Sequence, residues 1–438
     1  MKLYTKGFRL ALTAAVVATA AGCDDFLEVR NPNVVEATAI DPVADAPVLA
    51  ASAFQNFATY YGSAIVYSGW FTHEIWVGDT FPTRNEYGRR LIDDRNVTHN
   101  GEIWFPLSRA VSSAESVLDL AGGAPGADQS VHIARAAMTS GFSILLMAEH
   151  FCRGTVAQGE VAGPELNTQQ MLDLAIERLN RAITVGTAAA TATGPGTTGT
   201  TRADAGNIAN AARVGVARAH LQAGRNAEAI AAVANVPANF RFDVPFVDDA
   251  GNRGRLGNGI FFFSGGGARE AIVVPPVYRA MGVNLDLAPA AQEGDPRITY
   301  ADAGRDAQDA TLRLWNQQKY PSYASPIRLA SGLEARYIVA EAELKQGSPV
   351  AALTLINERR AAGEQGVFAG AGDAVLAELM AQRSRDFWLE GKRLGDFRRN
   401  PGAVPNVLGP SDEYYKPAVG TMGDQTCFPI PAFEFDNR

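Results

Sequence analysis

Residues 67–90, YSGWFTHEIWVGDTFPTRNEYGRR, concentrate the aromatic side chains of Trp70, Phe71, Trp76, Phe81 and Tyr87 among polar and charged groups. An indole face offers a flat apolar surface to a sugar ring or an apolar peptide side chain, and Asp79 and Arg84 can fix such a ligand's orientation through charge-assisted hydrogen bonds. The segment loses any clean helical or alternating period towards its C-terminal half, which frees several of these aromatics from a packing role. The alternative for Trp70 and Trp76 is the core of a helix ending near Gly78. A second group, Trp315, Tyr320 and Tyr323, falls in LRLWNQQKYPSYASP, where Pro321 and Pro326 indicate a loop whose aromatics face a ligand or a partner. Trp70, Trp76, Asp79, Phe81, Arg84, Trp315, Tyr320 and Tyr323 are therefore the candidate ligand contacts, whereas Trp104 is expected in the core.

Covalent and metal chemistry find less support. The chain has no G-x-S-x-G and no Walker loop, and His73-Glu74 lacks the second histidine of a zinc-protease helix. The other histidines, His99, His132, His150 and His220, are scattered, and no Cys-x-x-Cys occurs. No catalytic residue, metal ligand or cofactor is assigned. Asp93-Asp94, or Asp79 with Glu86, can form a carboxylate pair for glycoside hydrolysis, a reading that depends on a separation the sequence does not give.

The elements that must position these groups are mostly helical. Met138, Phe142, Leu145 and Leu146 form one apolar stripe, and Leu172, Ile176, Leu179 and Ile183 another, each at helical spacing. An internal repeat relates Ala212–Val233 (ARVGVARAHLQAGRNAEAIAAV) to Ala335–Ile356 (ARYIVAEAELKQGSPVAALTLI), with Ala212, Arg213, Val216, Ala217, Ala219, Leu221, Gly224 and Ala229 recurring in register. Each copy reads as helix, turn, helix. Gly224 and Gly347 fit a left-handed residue closing the first helix; Ser348 is expected to cap the second, with Pro349 in its first turn. Small alanines on the facing sides let paired helices approach closely, as in tetratricopeptide-like hairpins, although the copies lie too far apart for a regular array. Val185–Thr201, VGTAAATATGPGTTGTT, is expected as a surface loop. Between Phe240 and Tyr300, Gly, Asn and Pro separate short apolar runs such as Gly259–Phe263 and Ala271–Val274, which fit short strands or irregular loops. The fold class expected is mainly α: a tetratricopeptide-like helix-pair scaffold with loop and short-strand insertions.

The N-terminal residues carry Lys2, Lys6 and Arg9 ahead of the uncharged run Leu10–Ala21, a secretory signal too short to span a bilayer as a mature helix. Ala20-Ala21-Gly22 before Cys23 resemble a bacterial lipobox, with Ala20 where Leu is usual; acylation of Cys23 would tether the mature protein to a membrane. Residues 1–22 are thus read as the leader and 23–438 as one ligand-binding domain behind an N-terminal tether. Removing the leader leaves 36 Lys and Arg against 47 Asp and Glu, so the formal charge of −8 becomes −11. An acidic surface without a basic run argues against nucleic acid as a partner. Cys152 and Cys427 are the other cysteines; in an oxidising, exported setting they are expected to pair, the alternative being two separately buried thiols.

A cysteine followed by DDFLEV and NPN, Ala-rich helix pairs, the segment RSRDFWLEGKRLGDFRR (Arg383–Arg399) and a late CFPIP (Cys427–Pro431) occur in that order. In this the chain, from Cys23 to its C-terminus, resembles the SusD/RagB family of outer-membrane nutrient-binding lipoproteins. The resemblance implies a SusD-like fold, a glycan or peptide ligand, and a location on the outer membrane of a Gram-negative bacterium, lipid-anchored and facing the cell surface. It also implies a SusC-like TonB-dependent transporter as partner, over which such proteins form a lid. Two other readings remain: a helical scaffold lipoprotein that binds only another protein, and a lipoprotein glycosidase. Arg383–Arg399 itself reads as architecture: Asp373 can cap a helix whose Leu376, Leu379, Met380 and Phe387 share a face, and Glu390 and Arg393 are within helical reach of each other.

Overall fold

The computed structural model describes residues 40–156, 163–193 and 197–436; the leader and Cys23 lie outside the described residues. Asp41–Asp45 is a turn in which the Asp41 carboxylate accepts from the backbone N–H groups of Val43 and Ala44, at 2.8 and 2.9 Å. The remainder, from Ala46, is one unit.

Helix α1 (Ala46–Phe71) is buried along its C-terminal half on every side, and packs against α3 (Phe105–Ala121), with β1 (Trp76–Val77), the short α2 (Pro82–Gly88) and a π-helical turn, His99–Trp104, between them. Helix α3 packs on α4 (Val131–His150), α4 on α5 (Thr168–Thr191) across the small hairpin β2 (Arg153–Thr155) and β3 (Glu165–Asn167), and α5 on α6 (Gly199–Gln222). Both apolar stripes face these contacts, Met138, Phe142, Leu145, Leu146, Leu172, Ile176 and Leu179 being buried and Ile183 half-buried. The helices come close because small residues sit at the crossings. A Cβ on Gly141 would stand 2.5 Å from Leu179 Cγ, so the smallest side chain is what lets Leu179 seat there.

The expected loop at Val185–Thr201 is corrected. Helix α5 runs on to Thr191 and α6 begins at Gly199, with Val185, Gly186 and Ala189 buried. The alanines of that run favour helix, and Gly186 lets the α6 backbone approach it.

The internal repeat folds as two helix pairs, α6 with α7 (Asn226–Val233), and α11 (Gly332–Lys345) with α12 (Val350–Ala362). Gly224 and Gly347 are left-handed, with φ of 76° and 93°. Ser348 makes no side-chain cap; Pro349 occupies the N-cap, and its carbonyl already accepts the Leu353 N–H at 2.9 Å. Although about a hundred residues separate the copies, α11 packs directly on α7. An antiparallel ribbon of β4 (Arg241–Val244) and β9 (Ile327–Ser331), with Arg241 opposite Ser331, closes the intervening excursion at its base, so the insertion extends from a two-stranded stem. Helix α13 (Asp373–Asp386) continues the stack on α12, and α14 (Arg393–Arg399) returns to α1 and α4. Gly372, not Asp373, is the N-cap of α13.

The insertion holds α8 (Arg253–Leu256), α9 (Gly259–Phe263), β5 (Ile272–Val273), α10 (Pro276–Met281) and a sheet ordered β6 (Gly282–Asn284), β7 (Asp295–Asp306), β8 (Arg313–Gln317). The run Ala271–Val274 does contain a strand, β5, which pairs with β1 as Trp76 opposite Val273. Gly259–Phe263 is instead a helical turn, because the Asn258 side chain accepts from Phe261 N and starts it.

Cys152 and Cys427 form a disulfide, Cα atoms 5.3 Å apart. It ties the C-terminal segment to the end of α4, beside the Phe151–Phe428 bridge.

Buried charge is the feature the sequence concealed. Arg218 on α6 makes a bidentate pair with Glu149 on α4, at 2.9 and 2.6 Å. Glu334 on α11 lies 3.4 Å from Lys392 Nζ and 3.5 Å from Arg218. Arg399 joins Glu341 at 2.7 Å to Asp396 at 2.8 Å. Glu390 and Arg393 do not meet, because left-handed Leu389 and Gly391 (φ 58° and 70°) break the helix between α13 and α14. Glu390 instead pairs with Lys319 and Arg328, both at 2.8 Å, while Arg393 donates to Thr72 O at 3.1 Å and Ser384 Oγ at 2.9 Å. The charges of Arg383–Arg399 thus hold helices to the loops between them.

Candidate ligand-binding site

Three distant segments converge on one cavity of about 380 Å³: residues Asp79–Asn85 after β1, the β7–β8 turn at Asp309–Thr311, and Tyr415–Val419. A backbone bond brings the first two together, Asp309 N–H donating to Gly78 O at 3.0 Å, while Gly78 N–H donates to Ala271 O beside β5 at 2.9 Å. A Cβ on Gly78 would sit 2.7 Å from that of Ala307, so this approach needs glycine. Lys416 attaches the third segment: its Nζ donates to Asp79 O at 2.9 Å and to Asp309 Oδ2 at 2.8 Å. Burial pulls the Lys416 ammonium below its ordinary range against the pull of Asp309. Burial pushes the Asp309 carboxyl up, but hydrogen bonds from Lys416 and Thr311 N–H outweigh it and hold the group below the usual carboxylate range.

The Tyr415 ring lies face to face with Trp76, centroids 4.3 Å and planes 6° apart, and its hydroxyl accepts from Val77 N–H at 2.7 Å. Tyr414 donates to Asn85 Oδ1 at 3.2 Å. The cavity thus has a floor of satisfied polar groups, a wall that includes Tyr415, held from behind by its stack on Trp76, and a rim of exposed Thr80, Thr311, Pro417, Ala418 and Val419. Such a surface can hold a polyol by hydrogen bonds at its rim and by contact with the Tyr415 ring.

The eight candidate contacts separate. Trp76 and Trp315 are both half-buried and pack on the same small cluster of Val273, Ala307 and Leu314, so strand pairing brings them together. Trp315 belongs to strand β8, not to the loop expected for it; Arg279 lies over its ring at 4.6 Å and Tyr300 meets it edge-on. Phe81 is exposed beside the cavity, with the Arg84 guanidinium 4.9 Å from its ring centre. The remainder are corrected. Trp70 is fully buried, edge-on to Tyr67 and Phe263, because α1 is enclosed where it ends at Phe71. Asp79 lines the cavity through its backbone, while its side chain is spent internally on Arg84 at 2.5 Å. Arg84 also donates to Glu102 at 3.0 Å; burial opposes its charge, but Tyr67 and Glu102 raise its pKa overall. Tyr320 is buried with its hydroxyl donating to Leu389 O at 3.2 Å, and Tyr323 is buried against Phe261 and the Arg253 guanidinium.

Of the carboxylates weighed for hydrolysis, Asp79, Glu86 and Asp93 already accept hydrogen bonds. Glu86 accepts from Asp93 N–H at 3.0 Å and from Asn96 Nδ2 at 2.5 Å, and Asp93 Oδ1 accepts from Arg95 N–H at 2.8 Å. Among the described residues no group of three or more His, Cys, Asp or Glu side chains is placed to hold a metal. Sequence reasoning missed Tyr415, Lys416 and Asp309; the one local signal was the Tyr414-Tyr415 doublet within a Gly- and Pro-rich tail.

No family model and no curated relative matches the sequence. Solved structures do. The chain is similar to a SusD superfamily protein from Bacteroides vulgatus (15% identity, 91% of this chain and 97% of that one, TM-score 0.59). It is similar to surface glycan-binding protein A from Bacteroides uniformis (15%, 90% and 97%, 0.60). It is also similar to surface glycan-binding protein A from Bacteroides thetaiotaomicron in complex with laminarihexaose (13%, 90% and 97%, 0.65). The fold is therefore the mainly α, SusD-like one, over nearly the whole chain.

Proposed function

We propose that this chain is a SusD/RagB-type surface lipoprotein, lipidated on Cys23, that binds a carbohydrate at the Tyr415 cavity without transforming it. In this reading it passes the nutrient to a SusC-like TonB-dependent barrel in the outer membrane, over which it acts as a lid. The observation that supports it best is a cavity assembled from three distant segments on a SusD-like scaffold, with Tyr415, stacked on Trp76, in its wall and its charged groups already paired. Paired acids can orient hydroxyl groups but have no free proton-transfer role. Two solved structures of the same fold bear the name surface glycan-binding protein, one of them in complex with laminarihexaose.

Calorimetric titration of the leaderless chain with a panel of neutral oligosaccharides and peptides tests this. Saccharide binding without release of reducing ends is the expected result. Turnover would establish a glycosidase instead, and binding of peptides alone would change the cargo.

The protein-binding scaffold reading keeps one observation in its favour. An open, mainly apolar groove of about 340 Å³ runs between the two repeat copies, lined by Val233, Val236, Ala335, Val339 and Leu355.

A further inference from the structure

Another cavity, of about 490 Å³, opens at the insertion's stem, where β4, β7, β9, α12 and the Lys319–Pro326 loop meet the end of α13. Five cations line it: Arg241, Arg297, Lys319, Arg328 and Arg359. We propose that this cavity is a separate binding site for the carboxylate group of a small ligand, in class an acidic monosaccharide. It does not depend on what enters the Tyr415 cavity.

The two acids in the lining are already saturated. Asp386 receives Arg359 at 2.8 and 2.7 Å, Arg297 at 3.0 Å and the Tyr337 hydroxyl at 2.6 Å. Glu390 receives Lys319 at 2.8 Å and both Nε and Nη2 of Arg328 at 2.8 Å. Burial pushes the Glu390 carboxyl up, but Lys319 and Arg328 outweigh it and hold it down at about 2, so this acid stays ionised and its lone pairs stay engaged.

The cations, by contrast, keep uncommitted donors. Arg359 Nη1 has only Glu358, 4.0 Å away, and Arg241 engages Asp243 through Nε alone. Arg328 uses Nε and Nη2, and its guanidinium is fixed in place over the Phe387 ring, 4.9 Å from the centre. Guanidinium groups held by ion pairs and a ring lose little freedom on meeting a carboxylate, which their forked donors match.

Charge selects the kind of anion. Asp295 and Asp243 flank Arg297 and Arg241, Glu358 stands 4.0 Å from Arg359, and with Asp386 and Glu390 these acids closely offset the five lining cations. That balance suits a monovalent carboxylate better than a divalent phosphate. Tyr320, Pro326 and Leu333 supply an apolar side for the ring carrying the carboxylate.

The test is calorimetric titration of the full chain with galacturonate, with neutral galactose, inorganic sulfate and inorganic phosphate in separate arms. Two exposed rim positions give variants that spare the buried pairs: Pro326→Glu, which adds a like charge at the mouth, and Arg241→Gln. Galacturonate is expected to bind and galactose not, with binding weakened on the order of tenfold by Pro326→Glu and about threefold by Arg241→Gln, and falling with added salt. Both variants should keep the wild-type melting temperature. Absence of galacturonate binding in the millimolar range, equal binding of galactose, tighter binding of sulfate or phosphate, or affinity unchanged in both variants would each overturn the proposal.

Discussion

Trp76, just after the first long helix, and Tyr415, near the C-terminus, form a parallel ring stack 4.3 Å apart, and the Tyr415 hydroxyl accepts the Val77 N–H at 2.7 Å. One contact therefore both closes the chain on itself and holds Tyr415 in the wall of the cavity. The two roles are separable by substitution. Tyr415→Phe keeps the ring but strands the Val77 N–H, costing about 1–2 kcal/mol in urea denaturation with ligand affinity within a few-fold of wild type. Trp76→Ala removes the stack, and is expected to cost about 2 kcal/mol and to abolish saccharide binding. Affinity retained in Trp76→Ala would remove the stack from the site.

Asp79 and Arg84 look like ligand contacts in the sequence, but the structure buries them together at 0% and 3% exposure. Removing Arg84 leaves Asp79 an uncompensated buried charge, whereas Arg84 keeps Glu102 at 3.0 Å when Asp79 is neutralised. Arg84→Met alone should therefore destabilise by about 3–5 kcal/mol and Asp79→Asn alone by less, and the double replacement should cost clearly less than their sum. A double-mutant cycle by chemical denaturation measures the coupling; additive losses would mean that the pair is not a unit.

How far the sequence could be read follows from how local each feature is. The helix stripes and the left-handed Gly224 and Gly347 depend on neighbours within a few residues, and the structure reproduces them. Gly259–Phe263 reads as strand or loop because a five-residue apolar run has no length to separate strand from helix, and Asn258 decides for helix. The cavity was illegible because Asp309 and Lys416 acquire meaning only when β1–β5 pairing and the C-terminal return bring them to Asp79. Trp70 and Tyr320 illustrate the same limit: aromatic residues in a polar context are compatible with a ligand surface, and only packing reveals that the structure encloses them, Trp70 as the helix-core alternative has it.

The Cys152–Cys427 bridge spans 275 residues of sequence. A crosslink of that span restricts the unfolded chain strongly, so reduction or a Cys152→Ser/Cys427→Ser double variant should lower stability by about 3–5 kcal/mol. Guanidinium denaturation with and without reductant checks it. A midpoint unmoved by reductant would show that the segment is held by Phe428 packing alone.

Three buried histidines set an acid limit. Burial depresses His73 and His99 to about 4 and His150 to about 3, all below the ordinary 6.5. Between these values the unfolded chain binds protons that the folded chain refuses, so stability falls as pH drops from 6.5 to about 4, by up to about 1.4 kcal/mol per pH unit for each histidine. Glu74 acts in the opposite sense: burial raises it to about 7, so it takes stability away as pH rises from 4.5 to 7. Melting temperatures from pH 4 to 8 should therefore fall on the acid side of 6.5. His99→Gln should flatten that slope, and an unchanged slope would exclude His99 as a contributor.

Gly88 offers a test of the cavity from behind. It ends α2, and a Cβ there would stand 2.5 Å from the Tyr414 hydroxyl, 2.7 Å from that of Tyr415 and 3.0 Å from Val77 Cγ2. Alanine for glycine in a helix ordinarily stabilises by roughly 1 kcal/mol, but here the added methyl meets two hydroxyls that are themselves tied to Asn85 and Val77. Relieving the clash displaces both hydroxyls, and with that of Tyr415 the ring that stacks on Trp76. Gly88→Ala should therefore destabilise the protein, shift the Trp fluorescence, and weaken saccharide binding by about tenfold, although residue 88 does not line the cavity. If Gly88→Ala instead raised stability and left affinity intact, the rings would have to be free to slide, and the rigid wall on which the binding site depends would not exist.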